Sequence, residues 1–495
     1  MALLPENGTA GNCEGRRQVL QFRTQPTMDS INPATERVMG RYPLTSPSQI
    51  DHILDEVQQA YRSWGRLSVA DRAVPMRDAA SYLRANNGRL AGLITAEMGK
   101  PIAQSEAEIE KCAWACEFYA DNAGGFLEPI HRDSSARESY IRFDPLGAIL
   151  AVMPWNFPFW QLFRVAAPTL MAGNTVLLKH ASNVPQCALA IEELFLQSGF
   201  PRGVFRTLLV PGSKVEGLIA DPRVAGVSIT GSEGAGRQVA AAAGGALKKS
   251  VLELGGSDPF IVLEDADLDK AARAAAWGRN QNSGQSCIAS KRFLVHHKVA
   301  GEFLDRFAAE VLAMKVGDPA DRSVRVGPLA RRDLVEALER QVKASVAEGA
   351  RVVVAGRQPR PGFYYTPSIL DGVGPEMVAF REETFGPVAA VTRVKDSEEA
   401  IEMANLSSYG LGASIWTRDL DRAREMAPRI EAGSVFVNGI VASDPRLPFG
   451  GVKNSGYGRE LSEFGIREFT NVKTVWIGEA GAGEPEQRQG PARRS

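Results

Sequence analysis

Three segments of the chain hold residue types that could do chemistry at a carbonyl carbon. Cys287 lies in Gln281-Asn282-Ser283-Gly284-Gln285-Ser286-Cys287-Ile288-Ala289. The small and polar residues before it expose a thiol and let backbone amides come close. A nucleophilic sulfur needs that access and surroundings that stabilise thiolate; the alternative is a buried, inert cysteine. Glu253 ends the run Ser250-Val251-Leu252-Glu253 and precedes Leu254-Gly255-Gly256. At the carboxyl end of a parallel strand a carboxylate points into the crevice where α/β proteins place ligands. Partly desolvated, it has a raised pKa and can act as a general base; in the plainer reading it is a solvated strand end. Asn156 sits between two prolines in Pro154-Trp155-Asn156-Phe157-Pro158. Its neutral amide donor suits an oxyanion, as in acyl transfer, and would equally serve a structural turn.

A second group of segments could hold a phosphate-bearing ligand. Gly231-Ser232-Glu233-Gly234-Ala235-Gly236 follows an apolar run and opens a helix, so free backbone amides could seat a pyrophosphate. It is not the full Gly-x-Gly-x-x-Gly fingerprint. Lys179 ends another apolar run and can reach ribose or phosphate oxygens, or simply lie along the surface. His180 reads as a loop histidine. In Glu382-Glu383-Thr384-Phe385-Gly386-Pro387 one carboxylate could bind a ribose diol, or the acids could mark a helix end before a turn.

These residues need a scaffold. The chain has 495 residues, 44% hydrophobic, more than one core usually serves, so two or more domains are expected. With 57 basic against 58 acidic residues, nothing favours nucleic acid or a membrane surface as a partner. Five cysteines without a pairing pattern indicate a reducing, cytoplasmic setting. Cys112 and Cys116 are expected to pack in a core, and no metal site is expected. No segment reads as a secretory signal or a membrane span. Residues 1–28 and 481–495 read as disordered. Residues 46–122 read as helical, with Ser48 as a cap. Between 148 and 254 short apolar runs alternate with helical segments, at Ala148-Ile149-Leu150-Ala151-Val152-Met153, Thr175-Val176-Leu177-Leu178, 205–210, 224–229 and 250–254. A second alternating region follows from 258 to 437, with strands at 260–263, 292–295, 352–354, 388–391 and 434–437. Strands with helices between them predict two parallel sheets. Ser139-Tyr140-Ile141-Arg142-Phe143 and Lys473-Thr474-Val475-Trp476-Ile477 stand outside both, which suggests pairing across subunits.

Taken together and in order, Pro154-Trp155-Asn156-Phe157-Pro158, Lys179, Gly231-Ser232, Leu252-Glu253-Leu254-Gly255-Gly256, Gly284-Gln285-Ser286-Cys287, Glu383-Thr384-Phe385-Gly386-Pro387 and Pro448-Phe449-Gly450-Gly451 resemble the aldehyde dehydrogenase superfamily. The likeness runs from about residue 31 to 477. It implies an α/β fold with a Rossmann-like parallel-sheet cofactor domain (29–122 and 145–256), a second α/β catalytic domain (257–456), and a small β oligomerisation flap with a C-terminal segment (123–144 and 457–480). It implies that Cys287 attacks an aldehyde, that Asn156 and the Cys287 amide hold the oxyanion, and that Glu253 activates water against a thioester. Trp155, Lys179, Ser182, Gly231, Ser232, Glu383 and Phe385 would then contact NAD or NADP. A homodimer or homotetramer is implied.

Two departures refine this. Many relatives that prefer NAD carry Glu three residues after the lysine, where this chain has Ser182; a hydroxyl does not repel a 2′-phosphate, so NADP is favoured. The segments Leu178-Lys179-His180-Ala181-Ser182-Asn183 and Val441-Ala442-Ser443-Asp444 resemble the succinate-semialdehyde dehydrogenase branch. Arg164, about two helical turns past Asn156, would face the substrate and clamp a carboxylate, with Phe157, Trp160, Asp444 and Phe449 as further substrate contacts and Arg446 near the mouth. Some members of that branch carry a second arginine where this chain has Gln281. The competing readings are a broad-specificity aldehyde dehydrogenase, a thiol esterase using the same Cys287, Asn156 and Glu253 without redox chemistry, a CoA-acylating enzyme, and a scaffold.

Overall fold

Short apolar runs can be buried on both faces when helices cover a parallel sheet. The computed structural model, which describes residues 26–355 and 361–478, contains two such sheets. The first has six strands in the order Gly456–Tyr457, Lys249–Glu253, Val224–Thr230, Ala148–Met153, Thr175–His180 and Phe205–Thr207. All run parallel except the edge strand Gly456–Tyr457. From Ala148–Met153 the chain builds outward to one side, then returns and builds outward from Val224–Thr230 on the other. That reversal leaves a crevice at the carboxyl ends of these two strands.

The second sheet has seven strands, ordered Arg351–Val354, Ser368–Asp371, Val388–Val394, Ser290–His296, Asp258–Val262, Gly412–Trp416 and Ser434–Val437. Only the edge pair Arg351–Val354 and Ser368–Asp371 is antiparallel. Thr470–Ile477 and Glu138–Pro145 pair with each other and with Ile130–His131 in a separate three-stranded sheet. The 457–480 segment therefore divides: Tyr457 belongs to an edge of the six-stranded sheet and Thr470–Ile477 to the small one.

Four helices, Pro47–Trp64, Val69–Ala85, Asn87–Met98 and Ile102–Phe126, fill the stretch expected to be helical. The cap of the first is Ser46 rather than Ser48. Pro47 sits in its first turn, where a missing N–H costs nothing, and Ser46 exchanges hydrogen bonds with Gln49 as a capping box. The N-terminal boundary also moves. Residues 1–25 and 479–495 lie outside the described residues, but Thr27 and Met28 belong to the strand Thr27–Asn32, paired with Arg37–Pro43. Its alternation buries Met28 and Ser30, a period-two signal that polar composition hid. Cys112 and Cys116 are fully buried in the core. Cys13 lies outside the described residues. No helix among the described residues is long and apolar enough to cross a membrane.

Candidate functional site

Cys287 follows the helix Leu268–Asn280 through a strained turn. Asn282, Ser283 and Gly284 are all left-handed, with φ of 52°, 56° and 74°. Each non-glycine residue held so costs about 1–3 kcal/mol, so neighbours must enforce the shape. Asn282 Nδ2 donates to the carbonyls of Asn156 (2.7 Å) and Gln285 (3.0 Å), and its backbone N–H donates to Gln104 (2.7 Å). Ser283 Oγ donates to the Gly327 carbonyl. At Gly284 a side chain would meet the Gly386 backbone at 2.4 Å, so this position demands glycine on contact as well as conformation.

Two buried cations hold the turn from below. Arg279 donates to the carbonyls of Gly284 (2.7 Å), Gly386 (2.6 Å), Thr384 (3.3 Å) and Ser290 (3.2 Å). It thereby ties the cysteine loop to the Glu383-Thr384-Phe385-Gly386 loop. Lys291 donates to the carbonyls of Ser286 (2.9 Å) and Cys287 (2.8 Å). Sequence reading passed over both residues, since nothing marks an arginine in a helix or a lysine in a strand as buried.

The thiol of Cys287 is 9% exposed and opens on a cavity of about 300 Å³. Phe157, Trp160, Arg164 and Gln281 line it, as expected, and so do Lys111, Trp277, Arg325 and Ser443, which sequence reading did not single out. Burial pushes the thiol pKa up to about 11, and Arg164 and Lys291 act against that rise. Asn156 is buried beside the cavity and donates one amide N–H to the Gln285 carbonyl (3.1 Å). The Cys287 backbone N–H makes no hydrogen bond among the described residues, so it and the second Asn156 N–H remain free to donate.

Glu253 ends its strand fully buried, and neither oxygen has a hydrogen-bond partner among the described residues. Burial raises its pKa well above the carboxylate range, and Glu460 adds to the rise while Arg164 and Arg459 oppose it. Burial without donors disfavours the carboxylate, and once entering water solvates the anion its raised pKa makes it a stronger base than an exposed glutamate. Arg164 pairs with Glu460 at 2.7 Å, lies 4.3 Å over the Phe449 ring and donates to Gln161. Phe449 and Asp444 do not line the cavity. Phe449 sits behind Arg164, and Asp444 is tied to Arg446 at 2.6 Å.

The crevice at the sheet's reversal collects the other expected residues. The Lys179 ammonium, near the end of Thr175–His180, makes no hydrogen bond or ion pair among the described residues, and burial lowers its pKa. Ser182 is exposed beside Asn183, whose buried Nδ2 has no partner. Ser232 caps the helix Glu233–Gly245 and Gly231 precedes it, leaving a helix N-terminus at the crevice. Glu383 accepts from the Gly256 N–H (3.1 Å) and lies 3.4 Å from Lys291. Gly255 permits that approach, because a side chain there would meet Glu383 at 2.5 Å. Phe385 packs edge-on against Trp155, ring centres 5.8 Å apart. An unpaired ammonium, a free amide and a helix N-terminus form a donor set that fits a dinucleotide.

The sequence pattern of the aldehyde dehydrogenase family matches residues 21–475. The chain belongs to the aldehyde dehydrogenase family. It is 51% identical over 449 residues to a Synechocystis protein named "Probable succinate-semialdehyde dehydrogenase [NADP(+)]", covering 90% of this chain and 99% of the relative. It is 48% identical to the Escherichia coli succinate semialdehyde dehydrogenase [NAD(P)+], covering 90% and 97%. Among solved structures, the succinic semialdehyde dehydrogenase of Streptococcus pyogenes in complex with NADP+ superposes with a TM-score of 0.89 at 36% identity, over 91% of this chain and all of that one. In this aldehyde dehydrogenase Cys287 lines a cavity with Phe157, Trp160 and Arg164, while Asn156 and Glu253 are buried and do not line it.

His180 does not face the crevice. It is buried, bonded to the Pro158 carbonyl at 2.9 Å, and its pKa falls to about 4. It therefore holds the loop that carries Asn156 and stays neutral.

Proposed function

We propose that the chain oxidises succinate semialdehyde to succinate with NADP, through a thioester on Cys287. The observation that supports it best is the Cys287 thiol opening on a cavity that also contains Arg164, beside a crevice suited to a dinucleotide. The cofactor, when bound, supplies a nicotinamide that accepts hydride. Cys287 sulfur adds to the aldehyde carbon as thiolate, its proton having passed to solvent water. Asn156 and the Cys287 N–H hold the oxyanion. After oxidation a thioester remains on the sulfur. Glu253 takes a proton from water, which hydrolyses the thioester and frees the thiol. Phe157 and Trp160 form apolar walls, and Arg164, paired with Glu460, lines the cavity with them. Trp155 and Phe385 flank the nicotinamide end, while Lys179, Ser182, Gly231, Ser232 and Glu383 receive the riboses and phosphates. Ser182 in place of a carboxylate supports NADP, since no negative charge at that position opposes a 2′-phosphate.

The same reading includes the division into cofactor domain, catalytic domain and flap, and a homodimer or homotetramer. The three-stranded sheet leaves Val472, Trp476 and Ile477 exposed, which supports assembly through that flap. The four cysteines among the described residues are free and buried, which supports a reducing cytoplasm.

The test is kcat/KM for succinate semialdehyde and for butanal, each with NADP and with NAD. Higher values for the charged aldehyde and for NADP are expected. Ester hydrolysis without aldehyde-dependent nicotinamide reduction would favour the esterase reading. A strong NAD preference would remove the argument from Ser182.

A further inference from the structure

A substrate carboxylate needs a cation whose charge is not already matched. Arg164 lines the cavity, but its guanidinium is paired with Glu460 at 2.7 Å and bonded to Gln161, in a site that also holds Glu253. Its field helps the sulfur, yet its charge is largely spent inside the protein. Gln281, on the same wall, is neutral.

Arg325 also lines the cavity without an ion pair among the described residues but is exposed, whereas Lys111 is partly buried. It projects into this cavity from the helix Ile102–Phe126. Its ammonium forms no ion pair among the described residues. The two acids that influence it are occupied: Glu108 binds Lys100 and the Phe159 and Trp160 N–H groups, and Asp444 binds Arg446. Two contacts aim the side chain. Nζ donates to Ser443 Oγ at 3.0 Å and lies 4.4 Å from the Trp160 ring centre. Trp160 Nε1 donates to the same Ser443 oxygen at 2.9 Å, so the hydroxyl, accepting from two sides, keeps its own proton to give. The ammonium has N–H groups left for a further acceptor. Ammonium and hydroxyl stand together as a partly buried, charge-poor cradle on the wall of the cavity onto which Cys287 opens.

We propose that Lys111 is a specificity-determining residue, which receives the carboxylate of an ω-carboxy aldehyde while Cys287 engages the carbonyl. This rests on the oxidation of a carboxylated aldehyde proposed above and deepens it by naming the contact. The test compares the ratio of kcat/KM for succinate semialdehyde to that for butanal in the wild type and in Lys111→Met, with KM and kcat separated. Loss of one charge-assisted hydrogen bond is expected to lower the ratio by about 10- to 100-fold, chiefly through KM of the charged aldehyde. An unchanged ratio in Lys111→Met overturns the proposal. If the methionine variant does not accumulate, Lys111→Gln replaces it under the same criterion. A wild type that fails to prefer the charged aldehyde would refute the proposed substrate instead, so the two failures are distinguishable.

Discussion

The resting thiol gives a prediction that can be worked through in numbers. Burial pushes the Cys287 pKa from 9.0 up to about 11. Each unit is a factor of ten in thiolate, so at pH 8 the buried sulfur carries about 100-fold less thiolate than an unburied one. A more basic thiolate is also a better nucleophile. With a Brønsted slope of about 0.4–0.5, two units return a factor of about 8. Alkylation by iodoacetamide in the absence of cofactor should then be about tenfold slower than for a reference thiol of pKa 9.0 at pH 8. The rate should climb tenfold per pH unit from 6 to 10 without a plateau. Arg164→Met removes the strongest neighbouring charge that opposes the rise, so its rate should fall further. Loss of activity gives the rate, and peptide mass separates Cys287, which lines the cavity, from Cys13 and from the fully buried Cys112, Cys116 and Cys187. A plateau centred near pH 7 would refute the argument, because desolvation could not then be the dominant effect on the sulfur.

Two further predictions concern the groups that hold the site. Arg279→Met leaves the Gly284 and Thr384 carbonyls without a donor among the described residues, while Gly386 keeps the Val388 N–H. Unsatisfied buried groups cost about 1–3 kcal/mol each, so denaturant unfolding should show a loss of several kcal/mol, with activity lost before global unfolding. A variant as stable and active as the wild type would contradict the clamp. Glu108→Gln keeps an acceptor for the Phe159 and Trp160 N–H groups but strands the buried Lys100 ammonium. Breaking such a pair costs about 3–5 kcal/mol, and Lys100→Met combined with Glu108→Gln should recover most of it. No recovery in the double variant would show that the cost lies elsewhere than in the stranded charge.

The line between sequence and structure falls at particular residues. Cys287, Glu253, Asn156, Lys179 and Glu383 were legible as candidates because their types and local settings, a polar turn or the end of an apolar run, survive in one dimension, and their ordered spacing carried the family resemblance. The parallel sheets were legible for the same reason: Ala148-Ile149-Leu150-Ala151-Val152-Met153 is apolar on both faces, which demands cover on both. Short strands such as Ser368–Asp371 and Gly412–Trp416 were missed, because their polar or small residues become strand only through neighbours already in place.

Charge balance was decided by the tertiary fold alone. Nothing along the chain couples Arg164 to Glu460, or leaves Lys111 unmatched while Glu108, three residues earlier, is fully engaged. Local spacing reports which groups exist and which element bears them. The fold selects the partner that neutralises a buried charge, eight residues away for Lys100 and Glu108 but hundreds away for Arg164 and Glu460, and the cost of desolvation makes that pairing, rather than the presence of the charge, determine what remains free to bind.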